Sequence, residues 1–145
     1  MLLTRDPHTR RTFRGVYARD LLPKTKITTF PAAFVANTDP SHKQGQHWVA
    51  FYFDVDGRGE YFDSYGLPPW HVAFSNFLQR NASQDWTWNP HRLQHSGTRS
   101  CGYYCLLYVA LRSRGCSLRD MIDLFGSNTL ENDLLVLELI ERMYQ

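Results

Sequence analysis

The sequence predicts an α+β domain in which a mostly antiparallel sheet packs against helices. One apolar run, His47 to Val55, has bulky residues at alternating positions on both faces, which is typical of a central strand covered on both sides. A second apolar run, Cys101 to Gly115, has the spacing of a helix. The chain has 145 residues, of which 43% are hydrophobic, so it is long enough for one compact domain with one core.

We expect residues 1–145 to form a single domain with a flexible basic tail at its start. Residues 1–16 are polar and basic without clear periodicity. The positive charges of this segment are those of Arg5, Arg10, Arg11 and Arg14. Order is predicted to begin with the short segment from Tyr17 to Leu22, which Pro23 ends.

Three further strands are predicted around the central one. The Asp-Gly-Arg-Gly turn at 56–59 predicts that residues 60–63 return as the next antiparallel strand. Phe34 to Asn37 is predicted as a neighbouring strand. Trp86 to Leu93 alternates apolar and less apolar residues, but Pro90 restricts this strand to an edge or a bulge.

Three helices are predicted besides the one at Cys101. The first follows Pro69, and its apolar residues recur at three- and four-residue steps as Trp70, Ala73, Phe74, Phe77 and Leu78. A Ser-x-x-Asp pattern at 117–120 begins a short helix that extends to Phe125. An Asn-x-x-Glu pattern at 128–131 begins the final helix. Its single apolar stripe comprises Leu130, Leu134, Leu137, Ile140 and Tyr144.

Cysteine usage and hydropathy predict a soluble protein of a reducing compartment. The three cysteines, Cys101, Cys105 and Cys116, cannot all pair, and they lie too close together to staple a small secreted fold. No apolar stretch approaches the roughly 18 residues of a membrane span. The Met-Leu-Leu start leads into Arg5 and Asp6 rather than into the core of a signal peptide.

Four residues supply the groups that a cysteine hydrolase needs. Cys101 lies at the predicted start of a helix, where the helix N-terminus and a nearby imidazolium lower a thiol pKa, and Gly102 beside it allows close backbone packing. His47, at the start of the buried strand, is the candidate base. Asp63 ends the adjacent strand, where it would accept the ring N–H of His47. Gln94, seven residues before Cys101, is the candidate donor to an oxyanion.

The arrangement resembles the adenovirus protease (adenain) group and its relatives among the ubiquitin-like-protein proteases and the proteases of Maverick/Polinton elements. The resemblance is carried by four motifs in order, His47-Trp48, Asp63-Ser64-Tyr65-Gly66, Gln94 and Cys101-Gly102. Asn37, ten residues before His47, adds to the likeness to adenain in particular. The similarity covers residues 37–111.

The resemblance implies a cysteine endopeptidase of the fold predicted above, with the nucleophile at the N-terminus of a central helix and no cofactor. Its roles would be filled by His47 as base, Asp63 as orienting carboxylate, Gln94 as oxyanion donor and Cys101 as nucleophile. Trp48 is expected to wall a narrow cleft beside Gly102, so that glycine-containing sites of viral or virus-like-element precursors and polyproteins would be cleaved. An aromatic core residue is the alternative for Trp48. The host nucleus or cytoplasm, or the virion interior, would be the location.

The chain departs from adenain in two ways. Adenain has Glu at the orienting position, whereas Asp63 is the choice of the ubiquitin-like-protein proteases, so cleavage of ubiquitin-like precursors is the alternative activity. The activating peptide of adenain attaches through a cysteine between the orienting residue and the oxyanion Gln, and no cysteine lies between Asp63 and Cys101. We therefore expect no disulfide-linked activator, while an activating peptide of another kind stays open. The net charge of +2 is too small to predict a nucleic-acid partner by itself.

Two non-enzymatic alternatives use the same residues. His91 and His95, followed by Cys101 and Cys105, have a spacing that can build a tetrahedral zinc site. The histidines fall on a predicted extended segment, which separates their rings by roughly 13 Å, and zinc leaves His47 unexplained, so no metal is predicted. A non-catalytic binding module of the same fold is the second alternative.

Overall fold

A five-stranded sheet forms the centre of the protein. The computed structural model describes residues 2–42 and 46–145. The strands are β1 (Phe13–Tyr17), β2 (Ala32–Asn37), β3 (Trp48–Phe53), β4 (Gly59–Phe62) and β5 (Thr87–Trp88). They lie side by side in chain order, with β3 in the middle. The pairs β2–β3 and β3–β4 are antiparallel, whereas β1–β2 and β4–β5 are parallel.

The helices are α1 (Leu2–Arg5), α2 (Val72–Asn81), α3 (Cys101–Ser113), α4 (Leu118–Ile122) and α5 (Thr129–Met143). A short 3-10 turn covers Arg19–Leu21. The predicted starts of α4 and α5 are both present: the capping box of Ser117 with Asp120 closes, and Asn128 accepts the N–H of Glu131. The α+β class predicted from the sequence is confirmed. No helix of the described chain is long and apolar enough to cross a membrane.

Both faces of β3 are buried, as its apolar sequence predicts. Phe51 and Phe53 belong to the apolar cluster that also contains Phe74 and Phe77 of α2. Ala50 lies on the opposite face, in the cluster that contains α3 and α5. A small residue at this position lets α3 approach the sheet closely, and Cys101 is the first residue of that helix.

Within residues 2–16, expected as part of a flexible basic tail, several side chains are packed against the rest of the chain. Leu3 is 1% exposed and joins the cluster around α3. Asp6 accepts hydrogen bonds from Arg114 at 2.6 Å and Tyr144 at 2.8 Å. Phe13 then begins β1. Asp6 and Arg114 are 108 positions apart in the sequence, so local composition does not predict that they pair.

Several predicted elements differ in extent. The helix predicted to extend to Phe125 ends at Ile122. The strand predicted over 86–93 is reduced to Thr87–Trp88, at the edge of the sheet as Pro90 requires. The helix predicted to begin near Trp70 begins at Val72, and Trp70 itself is 60% exposed.

The predicted apolar stripe of the last helix is wrong for Leu130 and Leu134, whereas Ile140 is buried as predicted. Leu130 and Leu134 are 56% and 70% exposed, whereas Asn132 and Asp133 are buried on the inner face of α5 with Val136 and Ile140. The polar residues face inwards because the loop after Leu93 presents backbone groups that need partners. Asn132 Nδ2 donates to the carbonyl of Leu93 at 3.0 Å.

Candidate active site

His47 and Asp63 are brought together by the pairing of β3 with β4. Ala50 lies opposite Phe62, so the residue just before β3 and the residue just after β4 reach the same end of the hairpin. His47 Nε2 lies 2.8 Å from Asp63 Oδ1. The carboxylate is almost fully buried and the imidazole is 16% exposed. This contact leaves Nδ1 of the ring for Cys101.

Asp63 is held by its own loop as well as by His47. The backbone N–H of Tyr65 donates to the same oxygen, Oδ1, at 2.8 Å. The Tyr65 ring stacks on the His47 ring, with centroids 4.9 Å apart. The buried side chain of Asn89 donates to the carbonyl of Asp63 at 3.1 Å. These contacts fix the positions of both the carboxylate and the imidazole.

Cys101 is the first residue of α3, and its thiol lies at the helix N-terminus with 6% of the residue exposed. Burial raises the pKa of the thiol, but hydrogen bonds from His47 and from the backbone N–H groups of Trp48 and Gly102 outweigh burial and lower the pKa below its ordinary value of 9.0. Cys105, one turn further along the helix, has a pKa well above 9.0 because it is fully buried. The two cysteines therefore differ strongly in thiolate character.

The pKa of His47 moves in the opposite direction to that of a buried histidine without partners. Burial lowers it, but the hydrogen bonds and charges of Asp63 and Cys101 outweigh burial and raise the pKa to about 9. A thiol pKa that is lowered beside an imidazole pKa that is raised favours a thiolate–imidazolium pair at neutral pH. This arrangement can attack an electrophilic carbonyl and then protonate a leaving group.

Gln94 is fully buried. Its Oε1 accepts a 2.6 Å hydrogen bond from Ser64 Oγ, the residue after Asp63. Its Nε2 lies 3.0 Å from the carbonyl of Thr98 and 3.1 Å from Thr98 Oγ1, in the loop that leads into Cys101. The amide is thus fixed between the two segments that carry the candidate orienting residue and the candidate nucleophile.

Trp48 and Gly102 lie together beside the thiol. A Cβ added to Gly102 would lie 3.9 Å from Cδ1 of Trp48, so the two residues face each other at contact distance. An apolar cavity of about 180 Å³ is lined by Trp48, Gly102 and Cys105, and a second cavity of about 260 Å³ has Trp48 as one wall. Trp48 therefore lines two cavities, and Gly102, the residue after the candidate nucleophile, lines one of them.

Several residues of this site have no role in the interpretation of the sequence. Ser64, Tyr65, Asn89 and Thr98 support the candidate residues through hydrogen bonds or stacking. Arg92 lies 5.6 Å from the centre of the Tyr65 ring. Ser64 and Tyr65 belong to the Asp-Ser-Tyr-Gly motif, and that motif is the only sequence signal for their supporting role. Asn89 and Thr98 lie in loops without periodicity.

The zinc alternative finds no support in the placement of its residues. His95 Nδ1 contacts Thr129 Oγ1 at 2.8 Å, which directs this ring towards α5. Cys101 contacts His47, and Cys105 is buried in the core. Over residues 2–42 and 46–145, no group of three or more His, Cys, Asp or Glu side chains is arranged to hold a metal ion.

Comparison with solved structures gives a viral protease as a neighbour. Two crystal structures of the pS273R protease of the virus ASFV match with TM-scores of 0.53, 30% and 28% sequence identity, and coverage of 70% of this chain. The chain spans about two fifths of that protease, 41% and 39% of its length. The SUMO protease Ulp1, in a form with its catalytic cysteine oxidized, matches at a TM-score of 0.40 and 12% identity over 78% of this chain and 55% of Ulp1.

No protein-family model and no curated protein matches the chain. The resemblance that the four sequence motifs predicted is therefore carried by the fold and by the 30% identity with the ASFV protease. The link to Maverick/Polinton elements stays a prediction. Over the matched 70% of its length, the chain has the α+β fold of the ASFV pS273R protease.

Proposed function

We propose that the chain is a cysteine endopeptidase in which Cys101 is the nucleophile, His47 the general base and acid, and Asp63 the orienting carboxylate. The observation that carries this proposal is that Asp63 Oδ1 lies 2.8 Å from His47 Nε2, and that His47 is close enough to Cys101, at the start of α3, to lower the pKa of its thiol. Each group is held in place before substrate arrives, which is the arrangement that covalent catalysis requires.

In the proposed reaction the Cys101 thiolate attacks the carbonyl carbon of the scissile peptide bond. The carbonyl oxygen becomes an oxyanion, which Gln94 Nε2 and N–H groups of the first turn of α3 stabilise. The His47 imidazolium protonates the leaving amine, and the C–N bond breaks to give a thioester. Neutral His47 then removes a proton from water, the hydroxide adds to the thioester, and Cys101 leaves as the thiolate while the acid product departs.

The contacts of Gln94 set a condition on this role. Both hydrogen-bond acceptors next to Nε2 belong to Thr98. Donation to an oxyanion therefore requires that one N–H of Gln94 turns from Thr98 to the substrate. The loop from residue 96 to residue 100 would move slightly when substrate binds.

We infer that the substrates are proteins with glycine beside the scissile bond. The facing pair of Trp48 and Gly102 supports this, because it leaves little room for a side chain between the two residues. Similarity to a viral protease favours precursor proteins of a virus or virus-like element, processed in an infected cell or in the particle. A protease of ubiquitin-like precursors is the second candidate, which Asp63 at the orienting position favours.

The proposal is tested with purified protein, glycine-containing peptides and ubiquitin-like precursors. Wild type should cleave one of these classes, and Cys101→Ala should abolish cleavage without unfolding the chain. Cys116→Ala is the matched control, since Cys116 is half-buried and far along the chain from the site. Iodoacetamide at pH 6 should alkylate Cys101 much faster than Cys116. Slow alkylation of Cys101 together with no cleavage would contradict the proposal.

A further inference from the structure

Asp133, on the inner face of α5, is a buried carboxylate that the proposed reaction does not use. The residue is 7% exposed. Within residues 2–42 and 46–145 it forms no ion pair, and its Oδ2 has no hydrogen-bond partner. A buried carboxylate without a cation is unfavourable, and an apolar side chain of similar size would avoid that penalty. The contacts of the other oxygen, Oδ1, therefore indicate what this group does.

Asp133 Oδ1 joins the helix of the candidate nucleophile to the segment of the candidate oxyanion donor. It accepts a 2.7 Å hydrogen bond from the hydroxyl of Tyr104, which lies one turn after Cys101 in α3. The same oxygen accepts the backbone N–H of His95, the residue after Gln94, at 3.4 Å. One atom of α5 thus contacts both parts of the candidate site.

Other contacts hold the same segment against α5 and α3. Asn132 Nδ2 donates to the carbonyl of Leu93 at 3.0 Å, and the Tyr104 hydroxyl lies 3.4 Å from that carbonyl. His95 Nδ1 lies 2.8 Å from Oγ1 of Thr129, the first residue of α5. The two residues that flank Gln94 in the sequence are therefore both bound to α5.

The opposite side of the segment is bound to the loop of the orienting carboxylate. The backbone N–H groups of Leu93 and Gln94 both donate to the carbonyl of Ser64, at 2.8 and 3.1 Å. These bonds set the distance from Gln94 to the loop of Asp63, whereas only the α5 side also contacts α3. A donor stabilises an oxyanion only within a narrow range of distances, so the spacing between Gln94 and the start of α3 affects the rate.

We propose that Asp133 is a positioning residue of the oxyanion site, which fixes the place of Gln94 relative to Cys101 through its bonds to His95 and Tyr104. This inference rests on the proposed endopeptidase function and adds a residue to it. Asp133 acts through Gln94 and does not touch the reacting atoms. Its loss should therefore change kcat more than KM, because the oxyanion forms only after substrate has bound.

Two substitutions at this position separate the acceptor from the charge. Asp133→Leu removes Oδ1 at similar volume, and we expect it to lower kcat by about tenfold or more with little change in KM. Asp133→Asn keeps an oxygen for both donors and replaces only the oxygen that lacks a partner. It should therefore retain kcat within about threefold of wild type.

A double-mutant cycle with Gln94→Ala tests whether Asp133 acts through that side chain. When Gln94 is absent, Asp133→Leu should lower kcat no further, because the group that it positions has been removed. Tyr104→Phe is a second variant in case Asp133→Leu does not fold, since it deletes only the hydroxyl that Asp133 accepts. It should lower kcat by about threefold, again only when Gln94 is present.

Val136→Ala is the matched control for a loss of packing. Val136 is fully buried on the same face of α5, so its truncation destabilises the helix without removing a hydrogen bond to the segment of Gln94. Thermal unfolding should show a lower Tm for this variant while kcat stays unchanged. The side-chain amide signals of Gln94 in heteronuclear NMR, assigned by their absence in Gln94→Ala, give a second readout that needs no turnover.

The outcomes separate the two proposals. A kcat loss in Asp133→Leu that Asp133→Asn restores and that vanishes without Gln94 supports the positioning role. An equal loss in the Gln94→Ala background, or a kcat that matches Val136→Ala, would overturn it and leave the endopeptidase standing. If wild type cleaves nothing, the proposed function fails and the NMR comparison decides. Gln94 signals that shift in Asp133→Leu but not in Val136→Ala support the positioning role, and signals that stay in place overturn it.

Discussion

The hydroxyl of Ser64 donates a 2.6 Å hydrogen bond to Oε1 of the buried Gln94. This contact orients the amide so that its N–H₂ group points away from Ser64, towards the loop before Cys101. Ser64 is itself fully buried, so water does not replace its hydrogen bond to Gln94 when the hydroxyl is removed.

We therefore expect Ser64→Ala to lower kcat about tenfold with little change in KM, because the oxyanion donor is less well oriented. It should also lower the free energy of unfolding by about 1–3 kcal/mol, since Gln94 Oε1 is left unsatisfied. Steady-state kinetics and thermal unfolding measure the two effects. Ser75→Ala, on the exposed face of α2, is the control. If Ser64→Ala left kcat unchanged while Gln94→Ala lowered kcat by ~100-fold, Ser64 would not orient the donor.

The pKa of His47, raised to about 9, predicts the alkaline limit of activity. Above this pH the imidazole is neutral and no longer protonates the leaving amine, so kcat should fall with a midpoint near 9. The same shift affects stability: the folded pKa exceeds the ordinary value of 6.5, so the stabilisation is complete below about 6.5 and is lost as pH rises through about 9. Denaturant unfolding of wild type and His47→Ala across this range tests the sign. A difference that grows with pH would contradict it.

Asp63→Asn should shift that alkaline limit to lower pH, because the neutral amide no longer stabilises the imidazolium. The rate should fall by about 10³–10⁴-fold, less completely than in His47→Ala, since the base is still present but is held in the wrong tautomer. The pH dependence of iodoacetamide alkylation of Cys101 measures the ionisation of the Cys101–His47 pair, and it requires no substrate. If alkylation rates of Asp63→Asn and wild type followed one pH curve, the orienting role would be wrong.

Gly102→Ala tests whether bound substrate occupies the space beside the thiol. The new Cβ would meet Trp48 only at the ordinary contact distance of 3.9 Å, so folding should be preserved. We expect KM to rise about tenfold because the methyl group narrows the path of the peptide. Gly126→Ala is the control, since its Cβ would meet nothing within 4 Å. Equal KM values for the two variants would exclude Gly102 from the cleft.

Trp48→Ala should broaden tolerance at the positions that flank the scissile bond, because the wall that excludes side chains is removed. Peptides with Ala or Val in place of Gly should gain relative to the glycine peptide, even if the overall rate falls. Competition between such peptides in one reaction measures the ratio directly. An unchanged ratio would mean that Trp48 acts as a core residue only.

The sequence predicted the elements whose signals are local. The bulky alternation of β3, the turn before β4 and the capping pattern at Ser117 each depend on neighbouring residues, and each is present in the structure. The same holds for the start of α3 at Cys101, because a Cys-Gly pair opens an apolar helical run there. These elements were enough to place four candidate residues at one end of the sheet.

The parts that could not be predicted depend on distant partners. Leu134 appeared to belong to the inner face of α5, but that face is rotated so that Asp133 accepts the hydroxyl of Tyr104 at 2.7 Å. Likewise, Gln94 could be suspected as a donor, whereas its support by Ser64 and Thr98 requires the folded loops. Hydropathy ranks side chains by polarity and has no information about which backbone groups await a partner.

The packing of α1 gives the start of the chain a part in the shape of the cleft. Leu3 lines the apolar cavity that Trp48 and Gly102 also line. The segment is fastened by Asp6, whose carboxylate binds Arg114 at the far end of the helix that begins with Cys101. A substitution near residue 6 would thus change the mouth of the cavity by shifting α1 and α3. Variants selected for altered substrate choice are therefore expected there as well as beside the thiol.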